Sequence, residues 1–64
     1  MKVNFADYLE MVRINKAKTL LLDTSMPISE IAARVGYSNQ SYFTKVFKHN
    51  TGFSPNAFRM ISKK

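Results

Sequence analysis

Two glycines and two prolines constrain this 64-residue chain most, because each falls where a helix would start or stop. Gly36 and Gly52 follow segments with helical apolar spacing, and Pro27 and Pro55 precede such segments. No segment alternates polar and apolar residues in the manner of a half-buried strand. The punctuation therefore predicts an all-α chain of about four helices.

The first predicted helix runs from about Phe5 to Leu22. Asn4 is a suitable N-cap, Asp7 stands three residues on as in a capping box, and Val3 and Tyr8 occupy the staple positions. Asp7 and Glu10 suit the positive end of the helix dipole, Lys16 and Lys18 the negative end. The turn formers Asp23, Thr24 and Ser25 close the helix. A second helix is expected from about Pro27 to Val35, with Pro27 in its first turn and Ile28, Ile31, Ala32 and Val35 as one apolar stripe. A third is expected from about Asn39 to His49, capped by Ser38 and stapled by Tyr37 and Tyr42. Its inward stripe is Phe43, Val46, Phe47 and Asn50. The fourth, from about Pro55 to Ile61, has Ser54 as cap and Phe53 with Phe58 as staple. The chain thus divides into a leading helix over 4–22, a helix pair over 27–49 and a C-terminal helix over 54–62.

Several chemistries are excluded by what the chain lacks. There is no cysteine, and His49 is the single histidine, so neither a disulfide nor a Cys- or His-rich metal site is expected, and no cofactor. Stability must come from apolar packing, about 3–5 kcal/mol in a chain this short. A cysteine-free chain suits a reducing, cytoplasmic setting. No apolar run is long enough to span a bilayer, and Asn4, Asp7 and Glu10 interrupt any signal-peptide core. An enzyme is not expected, since no nucleophile–base pair, carboxylate pair or phosphate-binding glycine loop is present. Ten Lys and Arg against four Asp and Glu give a net charge of +6. That balance points to a polyanionic partner, nucleic acid ahead of an anionic membrane. A membrane-surface role fits less well, because the positive charge is not gathered on one face of one helix.

The second and third helices are joined by only Gly36, Tyr37 and Ser38. Two short amphipathic helices joined by a tight glycine-containing turn describe a helix-turn-helix. Ala32 is small enough for close approach of the partner helix, and Gly36 supplies the positive φ of the reversal. Ile31, Val35, Phe43, Val46 and Phe47 can lock the crossing. The outward face of the third helix then carries Asn39, Gln40, Ser41, Thr44, Lys45 and Lys48, none of them acidic. Amide, hydroxyl and ammonium groups are the types that read base edges in a major groove, and the N-terminal part of such a helix reaches deepest. Gln40, Ser41, Thr44 and Lys45 are therefore the candidate base-reading residues, and Asn39 and Lys48 the candidate phosphate contacts.

The run from Asn4 to Arg59 resembles the C-terminal two-thirds of the DNA-binding domain of AraC-type (AraC/XylS) transcription regulators. The resemblance rests on Tyr8-Leu9, on Arg13 to Lys18 and on Leu20 to Leu22. It continues through Ile28 to Tyr37, Gln40 to Phe43, Phe47-Lys48, Thr51 to Pro55 and Phe58-Arg59. It implies a homeodomain-like bundle that belongs to a bacterial regulator. In that family two helix-turn-helix units are joined by a linker helix, and each inserts a recognition helix into successive major grooves. By resemblance, the first helix here is the linker and the third is the second recognition helix. The first helix-turn-helix and any effector domain are expected to lie outside this chain. Double-stranded DNA is the implied partner, with RNA polymerase a further partner of the full-length protein.

The first helix is apolar over more than half its circumference, where a surface helix needs a stripe of only about 100°. Ala17, Leu20 and Leu21 are expected to pack on the helix-turn-helix. Phe5, Tyr8, Leu9 and Val12 are expected to face a missing neighbour, or another copy of the chain. A small interaction or dimerisation module using this face is the alternative function. Arg13 is expected to pack its stem over apolar neighbours or to reach phosphate, and Arg59 to pin the fourth helix or touch phosphate. Arg34 reads as a solvated charge, Lys63 and Lys64 as a frayed tail, His49 as a cation suited to a helix C-terminus, and the four methionines as ordinary packing.

Overall fold

The computed structural model describes residues 4–62, so the Val3–Tyr8 staple and the Lys63-Lys64 tail lie outside the described residues. Four helices follow in order: α1 (Phe5–Asp23), α2 (Ile28–Arg34), α3 (Gln40–Thr51) and α4 (Pro55–Ser62). All regular structure among the described residues is helical, as the punctuation predicts.

Helix α1 begins where expected. Asn4 has extended backbone, and its Oδ1 accepts the Asp7 N–H at 3.0 Å. At the other end the Thr24 hydroxyl donates to the Leu20 carbonyl at 2.6 Å, and the Thr24 Oγ1 accepts the Met26 N–H at 3.1 Å. The start of α2 differs from expectation. Pro27 stands at the N-cap with ψ 151° rather than inside the helix, and no side chain caps this end. The Pro27 carbonyl instead accepts the N–H groups of Glu30 and Ile31, both at 3.0 Å.

Helix α2 ends in a Schellman arrangement. Tyr37 N–H donates to the Ala32 carbonyl at 2.9 Å and Gly36 N–H to the Ala33 carbonyl at 3.2 Å. Gly36 has φ +105°, a conformation that L side chains rarely adopt. The start of α3 also corrects the sequence expectation. Asn39, not Ser38, is the cap, with its Oδ1 accepting the Tyr42 N–H at 3.0 Å. Asn39 holds the extended backbone the cap needs, which moves the first helical residue to Gln40. The Tyr37–Tyr42 pair forms nonetheless, with ring centroids 5.8 Å apart. Helix α3 continues to Thr51, beyond His49, and stops at Gly52 with φ +85°. Ser54 caps α4 through the Ala57 N–H at 3.2 Å.

One core joins the four helices. Ile14, Ala17 and Leu21 from α1 meet Ile31, Ala32 and Val35 at α2 and its end, then Tyr37, Phe43, Val46 and Phe47. Leu20, Met26, Ile28 and Phe58 pack around it. Phe43 and Phe47 are fully buried, and Phe58 meets the Phe47 ring edge-on at 5.3 Å. Truncating either buried phenylalanine would cost about 3–5 kcal/mol, comparable with the whole stability of so short a chain. Ala17, Leu20 and Leu21 thus take the places expected of them, and Ile14 joins them. Asn50 does not belong to the inward stripe: it is exposed, and its Nδ2 donates to Glu10 Oε2 at 2.8 Å and to the Val46 carbonyl at 2.9 Å. An amide with two acceptors at the rim avoids the cost of burial without partners.

Candidate nucleic-acid interface

Helix α3 has twelve residues, about 18 Å of helix at 1.5 Å per residue, enough to lie in a major groove about 12 Å wide. Its inward residues Phe43, Val46 and Phe47 are buried, which commits the opposite side to solvent. Gln40, Ser41 and Lys45 are exposed there and Thr44 is half-buried, so the four candidate base-reading residues share one accessible face. Lys48 is exposed one turn beyond Thr44. Asn39 is exposed as well, but its Oδ1 is engaged by the Tyr42 N–H, leaving its Nδ2 as the donor free for an outside acceptor.

The charges around α3 are arranged unevenly. Arg34 on α2 pairs with Glu30 one turn away at 3.5 Å. Among the described residues Lys45 and Lys48 form no such pair, so their charge is available to a polyanion. The last turn of α3 carries Lys48 and His49, where cations also suit the helix dipole.

Two contacts that sequence reasoning did not resolve tie α1 to this unit. The Arg13 guanidinium lies over the Tyr37 ring, 5.2 Å from its centroid, and beside Gly36. Glu10 holds Asn50 near the other end of α3. Burial first, and then the nearby Glu10 carboxylate, push the Tyr37 hydroxyl above its usual pKa, while the nearby Arg13 cation pulls the other way. Arg59 makes a further long-range contact. Its Nε donates to the Leu21 carbonyl at 3.1 Å, and its Nη2 to the carbonyls of Thr24 and Met26 at 3.1 and 2.8 Å. Of the two roles expected for Arg59, the structure places it in the pinning one. A sequence signal for it existed: the last turn of α1 contains no basic residue of its own, so its carbonyls lack a local cation.

On the N-terminal half of α1, Phe5 is 76% and Tyr8 55% exposed, whereas Leu9 and Val12 are half-buried. None of the four is buried. Met11 and Leu22, not among those expected to be open, are exposed too.

Two short helices crossed over a Schellman turn, with a third helix behind and a polar-to-cationic face in front, define a helix-turn-helix DNA-binding unit. A family model described as a helix-turn-helix domain matches residues 1–61. The arabinose operon regulatory protein of Escherichia coli is 44% identical over 57 residues, covering 89% of this chain and 20% of that protein. The bifunctional transcriptional activator/DNA repair enzyme AdaA of Bacillus subtilis is 39% identical over 61 residues, 95% of this chain and 29% of that protein. Among solved structures, the C-terminal domain of AraT, a response regulator from Geobacillus stearothermophilus, superposes with a TM-score of 0.94 at 45% identity. That match covers 97% of this chain and 51% of the other. The chain belongs to the AraC-type helix-turn-helix DNA-binding family. It spans only a fifth to about three-tenths of the length of these curated relatives. Their similarity favours a regulator's domain over a stand-alone interaction module.

Proposed function

We propose that this chain binds double-stranded DNA in a sequence-specific manner, as the linker helix and second helix-turn-helix of an AraC-type transcription regulator. Helix α3 enters the major groove. Gln40, Ser41, Thr44 and Lys45 face base edges, and Lys48 and the Asn39 amide face phosphates. The observation that carries this reading is the division of α3 into a buried, largely aromatic side and an exposed side of amides, hydroxyls and lysines that form no ion pair among the described residues. The reading extends to a cytoplasmic, nucleoid-bound role without catalysis, and to RNA polymerase as a partner of the longer protein. A single unit touches few phosphates, so affinity in the non-specific range of about 10⁻⁴–10⁻⁶ M is expected at physiological salt.

An NMR titration of the labelled chain with a short random-sequence duplex tests this. Shifts centred on Gln40 to Lys48 that fade as salt rises are expected, with log K falling by about 0.9 per phosphate contacted. No shifts at low salt, or shifts confined to Phe5 to Val12 that grow with protein concentration, would refute it and point to self-association through Phe5, Tyr8, Leu9 and Val12.

A further inference from the structure

We infer that Arg13, on the linker helix, is the positioning residue of the recognition helix: it sets the angle at which α3 meets DNA without touching DNA itself. This rests on the reading of α3 given above.

The argument follows a continuous set of contacts. The flat Arg13 guanidinium sits over the Tyr37 ring at 5.2 Å. Gly36 is its neighbour as well: a Cβ there would come within 3.1 Å of Arg13 Cζ and Nε. Glycine is therefore required at position 36 for its φ of +105°, and an added Cβ would also displace the guanidinium by a few tenths of an ångström. Tyr37 in turn packs against Tyr42 at 5.8 Å and Phe43 at 5.5 Å, both in the first turn of α3. That is the turn bearing Gln40 and Ser41, with Thr44 directly after it. Arg13 thus reaches the start of the recognition helix through one aromatic ring, while Glu10, one turn earlier on α1, holds Asn50 near its other end.

The chemistry of the contact is specific to arginine. A guanidinium is planar and can cover a ring face, whereas a lysine ammonium keeps the charge but has no flat group to fill the space beside Gly36 and Tyr37. Two roles can therefore be separated. A phosphate contact needs only the cation, and a positioning contact needs the plane.

Residual dipolar couplings of backbone amides in the free protein, measured well below its melting temperature, report the angle between α1 and α3. Arg13→Lys is expected to change that angle, with the largest changes at Gln40 to Thr44. Tyr37→Leu should do the same, whereas Tyr37→Phe, which keeps the ring face, should not. Adding Arg13→Lys to Tyr37→Leu should change nothing further, because both remove one contact. On the duplex, Arg13→Lys should weaken binding about three- to tenfold, the worth of one stacked cation, with the slope of log K against log salt unchanged. Native couplings in Arg13→Lys would overturn the inference, and native affinity in that variant with a loss of affinity and a shallower salt slope in Arg13→Met would assign Arg13 to phosphate. Should the unaltered chain bind no duplex, the DNA reading fails, yet the couplings still decide whether Arg13 places α3.

Discussion

Replacing Arg59 by methionine should remove the hydrogen bonds that tie α4 to the end of α1. The side chain donates to three main-chain carbonyls, at Leu21, Thr24 and Met26, which belong to the last turn of α1 and the link to α2. The final four carbonyls of any helix lack intrahelical donors. A hydrogen bond from a charged donor contributes about 1.5–3 kcal/mol. The three are not independent, because one side chain makes them all, and Arg59 is half-exposed, so water can take over part of the role. Methionine preserves the stem and its packing. The loss is then expected at about 2–3 kcal/mol rather than the sum of three bonds. A chain of this size has about 3–5 kcal/mol in total, and each kcal/mol moves the midpoint by about 4–8 °C. Thermal melting followed by circular dichroism should show a midpoint lower by roughly 10–20 °C. Arg59→Lys should recover less than half of this, since one ammonium cannot span three carbonyls. A loss below about 0.5 kcal/mol for the methionine variant would refute the reasoning, because it would mean water satisfies these carbonyls equally well.

Gly36→Ala and Gly52→Ala form a matched comparison. Both glycines have positive φ, but an added Cβ meets Arg13 at Gly36 and nothing at Gly52. Urea unfolding should show a loss of about 1 kcal/mol at Gly52 and a larger one, about 2–3 kcal/mol, at Gly36. Asn39→Ala should cost about 1 kcal/mol through the lost cap, and Asn39→Asp should retain most of it. The Tyr37 hydroxyl has its pKa raised above 10.0 in the folded state. Its contribution to stability is therefore complete below that value and is lost as pH climbs through the folded pKa. Unfolding measured across this alkaline range should fall less steeply in Tyr37→Phe.

The number, order and type of the helices were legible because turn chemistry and apolar period agree at nearly every boundary. Gly36, Gly52, Asn4 and Ser54 act as the local rules say. The errors occur where two residues compete for one role. Ser38 and Asn39 both cap well, and it is Asn39 that holds the extended backbone and bonds the Tyr42 N–H. Asn50 falls at helical spacing with Phe43 and Phe47, but it lies at the rim, where Glu10 offers an acceptor from forty residues away. Periodicity places a residue on a face and says nothing of where that face ends. The outward face of α3 was readable for the complementary reason: once Phe43 and Phe47 are inside, the exposure of Gln40, Ser41 and Lys45 follows from 3.6 residues per turn. Arg13 and Glu10 were hard to place because their partners are a turn and an amide, neither of which leaves a pattern in sequence.

These long-range contacts also explain how one helix can serve two purposes. The C-terminal half of α1 is held by burial, through Ile14, Ala17 and Leu21. The N-terminal half, where Phe5 and Tyr8 stay open, touches the helix-turn-helix through Glu10 and Arg13. Burial is non-directional and scales with area, so the C-terminal half determines whether the bundle forms. Hydrogen bonds and a guanidinium over a ring are directional, so the N-terminal half determines how α3 is oriented within a bundle that is already formed. Stability and presentation are thereby assigned to different turns of one helix. Substitutions at Ala17 or Leu21 should change both together, whereas substitutions at Glu10 or Arg13 should change presentation with little loss of fold.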